Sequence, residues 1–275
     1  MKKQRKRLMM PLSLLLVSVF FSRPAWARPD HVVVVIEENK SYNEIIGNKQ
    51  AAYINELAEQ GALMTRSYAV THPSLPNYLA LFSGSTHGVE DDGCQYVFQA
   101  PNLAQNLQEA GMTFKTFAES MPQKGFDVCR AGVYAKKHNP AAYFLGLDKE
   151  DNRPFRDFPK DFSRLPSVAF VIPNLDNDMH DGSVAQADEW LRKNLGAYAV
   201  WAKDHDSLLI LTWDEDDNSP KNQIPTIIFG AHVKPGRYSR HIDHYDVLKT
   251  LADLYGVPAP GQAQKSRFID GIWNS

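Results

Sequence analysis

Three short segments hold most of the residues able to do chemistry. Glu37-Glu38-Asn39 follows one apolar run, Asp176-Asn177-Asp178-Met179-His180-Asp181-Gly182 a second, and Asp214-Glu215-Asp216-Asp217 a third. Carboxylates gathered without Lys or Arg partners repel one another unless a cation neutralises them, so convergence of these segments would make a metal site. Taken singly, each is also an ordinary solvated acidic loop. Asp176 and His180 have the spacing D-x-x-x-H, which on a helical or tight-turn segment puts both on one face. Carboxylate with imidazole suits zinc, manganese or iron better than calcium. His244, in His241-Ile242-Asp243-His244-Tyr245, is a further candidate ligand. Standing alone, His241 or His244 would more simply be a surface or capping residue.

A fourth segment, Thr71-His72-Pro73-Ser74-Leu75-Pro76-Asn77-Tyr78, sets a serine between two prolines. Pro76 is suited to the first turn of a helix. Ser74 then lies near a helix N-terminus, where backbone N–H groups favour an anion such as phosphate. The plainer reading is a capping serine. A serine hydroxyl is a poor nucleophile without a base or a metal, and ligation to a cation would supply the activation. The chain has no G-x-S-x-G elbow, which argues against an ordinary α/β-hydrolase esterase.

These groups need elements to hold them. The β-branched run 31–36 (HVVVVI) predicts a buried strand, and 114–117, 168–172, 208–212 and 226–229 predict others. Helices are expected over 52–59, 76–82, 103–110, 188–203 and 246–255. Alternation of short apolar runs with amphipathic stretches predicts an α/β fold, an α/β/α sandwich with a mixed, mostly parallel central sheet. Open sheets of this kind bind ligands beyond the carboxyl ends of their strands, where three of the acidic segments begin. The stretch 123–166, rich in Pro, Lys and aromatics with little periodicity, reads as an irregular insertion over one end of the sheet.

The chain of 275 residues is 43% hydrophobic and 23% charged, which excludes a disordered tail, a collagen-like chain and a disulfide-dense miniprotein. Its first 27 residues read as a secretory signal peptide. Lys2, Lys3, Arg5, Lys6 and Arg7 form the basic region, 8–21 the apolar region, and Ala25-Trp26-Ala27 the cleavage signal. The alternative is a retained N-terminal anchor. Residues 28–275 would form one catalytic domain with no further membrane span. Cleavage removes six basic residues and no acid, taking the net charge from −2 to −8. That argues against a nucleic-acid partner, and an anionic substrate would then need bound cations to attract it. In an exported protein Cys94 and Cys129 suggest one disulfide, the alternative being two buried thiols.

The motifs together resemble the bacterial phosphoesterase family, which groups acid phosphatases with phospholipase C enzymes inside the alkaline-phosphatase superfamily. Glu38-Asn39-Lys40-Ser41-Tyr42 is similar to its E-N-H-S-[FY] motif, and His72-Pro73-Ser74-Leu75-Pro76-Asn77-Tyr78 to its H-P-S-x-P-N-Y segment. Asp178-Met179-His180-Asp181-Gly182, Trp213-Asp214-Glu215 and His244-Tyr245 also match, in the family's order. The resemblance implies an alkaline-phosphatase-like sandwich. It implies Ser74 as nucleophile, Asn77 as a phosphate-binding group, and Glu38, Asn39, Ser74, Asp176, His180, Asp214, Glu215 and His244 around one or two divalent ions. Zinc, manganese, iron and calcium are not distinguished, because Glu215 stands where many relatives have His and favours oxygen-preferring metals. Lys40 departs from the motif's His.

The expected reaction is hydrolysis of a phosphate monoester through a phosphoserine, with His72 or solvent protonating the leaving alkoxide. The closest branch, secreted acid phosphatases, brings phosphatidylinositol 3-phosphate in as a substrate. One rival is a phosphodiesterase or phospholipase C, whose members are usually much longer. The other is an exported metal- or phosphate-binding protein, which would need no nucleophile. Oligomeric state is not legible.

Overall fold

A computed structural model describes residues 28–274, so the expected signal peptide lies outside the described residues. β1 (Val32–Glu37) is buried throughout, with Val32 to Val35 all at 0% exposure. A β-branched run is suited to a central strand covered on both faces. β7 (Val168–Ile172) and β8 (Leu208–Trp213) flank it in parallel, Val32 standing opposite both Val168 and Leu208. Beyond β7 lie β3 (Phe114–Ala118) and the short β6 (Asn152–Pro154), also parallel. Beyond β8 lies β9 (Gln223–Gly230), which runs antiparallel both to β8 and to β2 (Ala62–Tyr68). β10 (Gly236–Asp243) closes that edge in parallel with β2. The order is β10-β2-β9-β8-β1-β7-β3-β6, a mixed sheet in which β9 alone is reversed.

Strand alternation sorts the core into two layers. Val33, Val35, Leu209 and Leu211 pack under α1 (Tyr42–Ile45), α2 (Ala52–Gln60) and α5 (Val184–Ala202). Val32, Val34, Ile36 and Ile210 pack under α3 (Ser74–Ser83), α4 (Leu103–Glu109) and α6 (His244–Tyr255). Each fully buried Val or Leu contributes roughly 1.5–3 kcal/mol of transfer free energy. The result is the expected three-layer α/β/α sandwich. No helix among the described residues is long and apolar enough to cross a membrane.

Two strands of more than three residues were not expected from the sequence, β2 and β10; β10 alternates half-buried with exposed positions and carries three basic residues, Arg237, Arg240 and His241. The irregular stretch contains the small hairpin of β4 (Arg130–Ala131) and β5 (Tyr134–Ala135), several single turns and β6. Cys94 and Cys129 are disulfide-bonded, with Cα atoms 5.4 Å apart, tying that hairpin to the loop after α3.

Candidate active site

β1, β2, β7 and β8 all run the same way, so their carboxyl ends reach one edge of the sheet. The alternation that sends Ile36 towards α3 sends Glu38 the same way, while Glu37 faces the opposite layer. α3 begins with Ser74 as its first residue, two residues before the expected start. The Ser74 hydroxyl therefore meets Glu38: Oγ lies 3.1 Å from Glu38 Oε2 and 3.2 Å from Glu215 Oε1. One hydroxyl proton can serve only one of these carboxylates at a time. Tyr78, one turn along α3, donates to Glu38 Oε1 at 2.5 Å.

Asn39 and Asp214 complete this group. Asn39 has φ +50°, a conformation Asn tolerates better than most residues, and its backbone N–H donates to Asp214 Oδ1 at 3.3 Å. The same Oδ1 accepts from the Glu215 N–H at 2.6 Å. The Asn39 side-chain amide lies 3.3 Å from both Glu38 Oε2 and Glu215 Oε1. With its nitrogen turned inward it donates to them. With its oxygen inward, three oxygens face one point, an arrangement suited to a cation.

A second group adjoins the first through Glu38. Ligand atoms of Glu38, His138 and His180 lie within 4.8 Å of one another. His138 stands between two carboxylates, Nε2 at 3.1 Å from Glu38 Oε1 and Nδ1 at 3.2 Å from Asp178 Oδ2. The Lys137 ammonium is 3.2 Å from His180 Nε2 and 2.8 Å from Asp92 Oδ2. A charged ammonium has only protons to offer, so His180 Nε2 accepts and its Nδ1–H points to Asp181, 2.7 Å away.

Burial dominates the electrostatics. It pushes the carboxyl groups of Glu38, Asp178 and Asp214 well above the usual range, with Asp178 adding to the rise at Glu38, and Glu38 and Glu215 adding to it at Asp214. Glu215 is raised by burial and restrained by its His72 partner. Burial also holds His138 well below an ordinary histidine and takes His244 to about 4. Asp214 Oδ2, His138 Nε2 and His244 Nδ1 are buried without a hydrogen-bond partner. Four carboxyls this close, with orphaned polar atoms among them and Lys137 as the neighbouring ammonium, are suited to divalent cations.

Several expected residues sit elsewhere than their expected roles require. Asp176 is not part of either group: its backbone N–H donates to Asn174 Oδ1, and no contact of its carboxylate with the cluster is present among the described residues. Asp178 takes the place expected of it. The segment is a reversal rather than a helix, with Met179 at φ +80°, so four-residue spacing does not put two side chains on one face. Its tightness is visible at Gly182, where any Cβ would lie 1.8 Å from the Asp176 carbonyl oxygen.

Asn77 does not face an incoming phosphate either. Its Oδ1 accepts from the N–H groups of Val70 and Thr71 at 3.0 and 3.1 Å, and its Nδ2 donates to the carbonyls of Thr71 and Pro73. With both donors and both acceptor positions used, it shapes the turn that delivers Ser74. His72 pairs with Glu215 through Nδ1 and meets the Ser219 carbonyl through Nε2, so it braces Glu215 and has no nitrogen left for a leaving group. His244 Nε2 donates to the Asp214 carbonyl at 2.6 Å. At the N-terminus of α3 the Leu75 N–H already donates to Asp92 Oδ1, so part of the helix-end anion site is taken from within.

The comparisons with known proteins follow this geometry. The model of the phosphoesterase family matches residues 48–258. A phosphatidylinositol-3-phosphatase of Mycobacterium tuberculosis is 53% identical over 246 residues, covering 88% of this chain and 82% of its own length. The chain belongs to the phosphoesterase family. A probable acid phosphatase of Kluyveromyces lactis is 29% identical over 252 residues, covering 83% of this chain and 59% of its own length. This phosphoesterase therefore spans about three-fifths of that yeast relative. Among solved structures, a protein of the alkaline phosphatase superfamily from Vibrio parahaemolyticus superposes with TM-score 0.63 at 16% identity, over 87% of this chain and 69% of its own. A phosphonate monoester hydrolase from Silicibacter pomeroyi gives TM-score 0.57 at 12% identity, over 87% of this chain and 75% of its own. These two likenesses establish the phosphoesterase's fold as alkaline-phosphatase-like.

Sequence reasoning missed four members of the site: Asp92, Lys137, His138 and Asp178. The first three lie in loops or single turns outside any periodic pattern. Asp178 was legible only as a neighbour of the residue chosen. The sole signal for His138 is its place in Lys136-Lys137-His138-Asn139, a short polar run inside an otherwise aromatic insertion.

Proposed function

We propose that this chain is an exported, metal-dependent phosphomonoesterase that works through a phosphoserine at Ser74. The observation that carries the reading is the Ser74 hydroxyl at the start of α3, 3.1 and 3.2 Å from two buried carboxylates. Glu38, Asn39, Ser74, Asp214 and Glu215 would hold one divalent ion, and Glu38, His138 and His180 could hold a second. Such an ion lowers the pKa of the hydroxyl and offsets phosphate charge. The oxygen donors of the first group favour magnesium, manganese or calcium, and the imidazoles of the second favour zinc or manganese.

The chain's own residues then divide the work. Ser74 Oγ attacks phosphorus, and its proton passes to Glu38 or Glu215, the two carboxylates within hydrogen-bond reach of the hydroxyl. His72 keeps Glu215 in place. Lys137 and His180 line the side from which phosphate oxygens enter. Solvent protonates the leaving alkoxide, because both His72 nitrogens are engaged. Water then cleaves the phosphoserine: the proton that Ser74 gave up returns from its carboxylate to Oγ as the P–Oγ bond breaks, and the other carboxylate takes the proton of the water. A phosphoinositide monoester is the substrate class supported by the mycobacterial relative's name. Export is supported by the signal-like N-terminus and by the disulfide.

Ser74→Ala is expected to cut kcat on p-nitrophenyl phosphate by at least about 10³-fold while leaving the thermal midpoint within a few degrees. Near-parental turnover by that variant would remove Ser74 from the reaction. Equal turnover of a phosphodiester by the parent would favour the phosphodiesterase alternative.

A further inference from the structure

The His180 side of the site opens onto a cleft of about 280 Å³, lined among others by Asp92, Cys94, Cys129, Arg130 and Lys137. Arg130 stands at its mouth with 63% of its side chain exposed. Its Nε donates to the Gly132 carbonyl at 3.0 Å, which fixes the plane of the guanidinium. The nearest carboxylate, Asp181, is 3.8 Å away and makes no hydrogen bond with it. The two terminal nitrogens therefore keep their N–H groups for something else.

The backbone beneath Arg130 is held from three directions. The preceding residue is bonded to Cys94, Arg130 itself pairs with Ala135, and the Leu175 N–H donates to the Val133 carbonyl at 3.0 Å. That last bond ties the hairpin to the loop carrying Asp178 and His180. Lys137 lines the same cleft but is already paired with Asp92. Arg130, with both terminal nitrogens unbonded where Lys137 has one donor left, is thus the cation of this wall with the most hydrogen-bonding capacity to spare. A planar fork held in place is the geometry that binds phosphate through two parallel hydrogen bonds.

We propose that Arg130 binds a second phosphate carried by the leaving group while the reacting phosphate sits at Ser74. The proposal rests on the phosphomonoesterase reading and narrows its substrate class to monoesters whose alcohol bears another phosphate. That second group is a phosphodiester in a phosphoinositide headgroup and a monoester in a soluble bisphosphate. His180 lines the cleft with Arg130, its imidazole adjoins Glu38, and Glu38 touches the nucleophile, so side chains in contact lead from the Arg130 wall to Ser74.

The test compares parent, Arg130→Ala and Arg130→Lys on three substrates: p-nitrophenyl phosphate, water-soluble dibutanoyl phosphatidylinositol 3-phosphate, and an inositol bisphosphate. Arg130→Ala is expected to raise KM by about tenfold on the substrates with two phosphates, with kcat unchanged and Arg130→Lys in between. KM for p-nitrophenyl phosphate should stay within about twofold of the parent. A rise confined to the lipid analogue, or shared by both two-phosphate substrates, upholds the assignment and tells a diester ligand from any second phosphate. Equal changes on all three substrates, or no change on any, overturn it. The parent's turnover of p-nitrophenyl phosphate reports on the phosphatase reading by itself, so failure of one is told apart from failure of the other.

Discussion

Glu37 and Glu38 are neighbours in sequence and opposites in environment. Glu38 finds Tyr78, His138 and Ser74, whereas Glu37 is fully buried with neither oxygen hydrogen-bonded. Burial first, then Glu119 and Asp188, push the Glu37 carboxyl well above its ordinary value, which favours its neutral form. A group whose folded-state pKa is raised binds a proton that the unfolded chain has released. Its presence therefore lowers stability as pH climbs from the ordinary carboxylate range towards the raised value. Glu37→Gln keeps the shape and removes that dependence. The variant should gain on the parent as pH climbs above the ordinary carboxylate range, measured by denaturant unfolding at pH 5 and at pH 8. An equal loss of stability at both pH values would show that the carboxyl has a partner. At this scale the sequence pointed to Glu38, Asn39, Ser74, Asp214, Glu215 and His180, which the structure gathers in two adjoining groups, because each follows a strand end or opens a helix. It did not reveal Asp178 over Asp176, since a reversal with a left-handed Met179 obeys neither the helical nor the strand period.

Among the elements, α3 and the β4–β5 hairpin bear the most on the site. α3 presents Ser74 and Tyr78 one turn apart on the face that meets Glu38. Its start at Ser74 rather than Pro76 was hidden because the turn before it is closed by the Asn77 amide, a contact that spacing alone does not disclose. The hairpin pairs at only two positions, and the Cys94–Cys129 bridge spans 35 residues of chain. A bridge closing a loop of that length stabilises by about 2–4 kcal/mol, mostly through the unfolded state. The paired substitution Cys94→Ser with Cys129→Ser should lower unfolding free energy by that amount. Turnover of p-nitrophenyl phosphate should survive, since neither cysteine touches Ser74. A stability change below about 0.5 kcal/mol would mean that the remaining contacts hold the wall unaided.

For the molecule as a whole, the fold was largely legible because its central strands are short continuous apolar runs and its longer helices are amphipathic. The edge strand β10 and its neighbour β2 were not, since a half-exposed edge need not be apolar, β10 mixes Arg237, Arg240 and His241 into its pattern, and β2 breaks its apolar start with Thr65 and Arg66. The acidic cluster at the sheet's carboxyl edge sets the molecule's response to metal. Without a cation the raised carboxyls of Glu38, Asp178 and Asp214 favour the folded state at low pH and oppose it as pH rises. Protein stripped with EDTA and dialysed is expected to melt lower at pH 8 than at pH 5. Adding a divalent cation should raise the pH 8 midpoint and restore turnover together. Stripped protein with full activity, or with a midpoint indifferent to added cations, would contradict the metal assignment.

The account stands on Ser74 Oγ as the atom that takes the phosphoryl group. Acid quenching during steady-state turnover of p-nitrophenyl phosphate, followed by peptide mass spectrometry, tests this directly. One phosphoryl group should appear on the peptide carrying Ser74 and be absent from Ser74→Ala. Sustained turnover with that peptide unmodified, and with the alanine variant equally active, would contradict it.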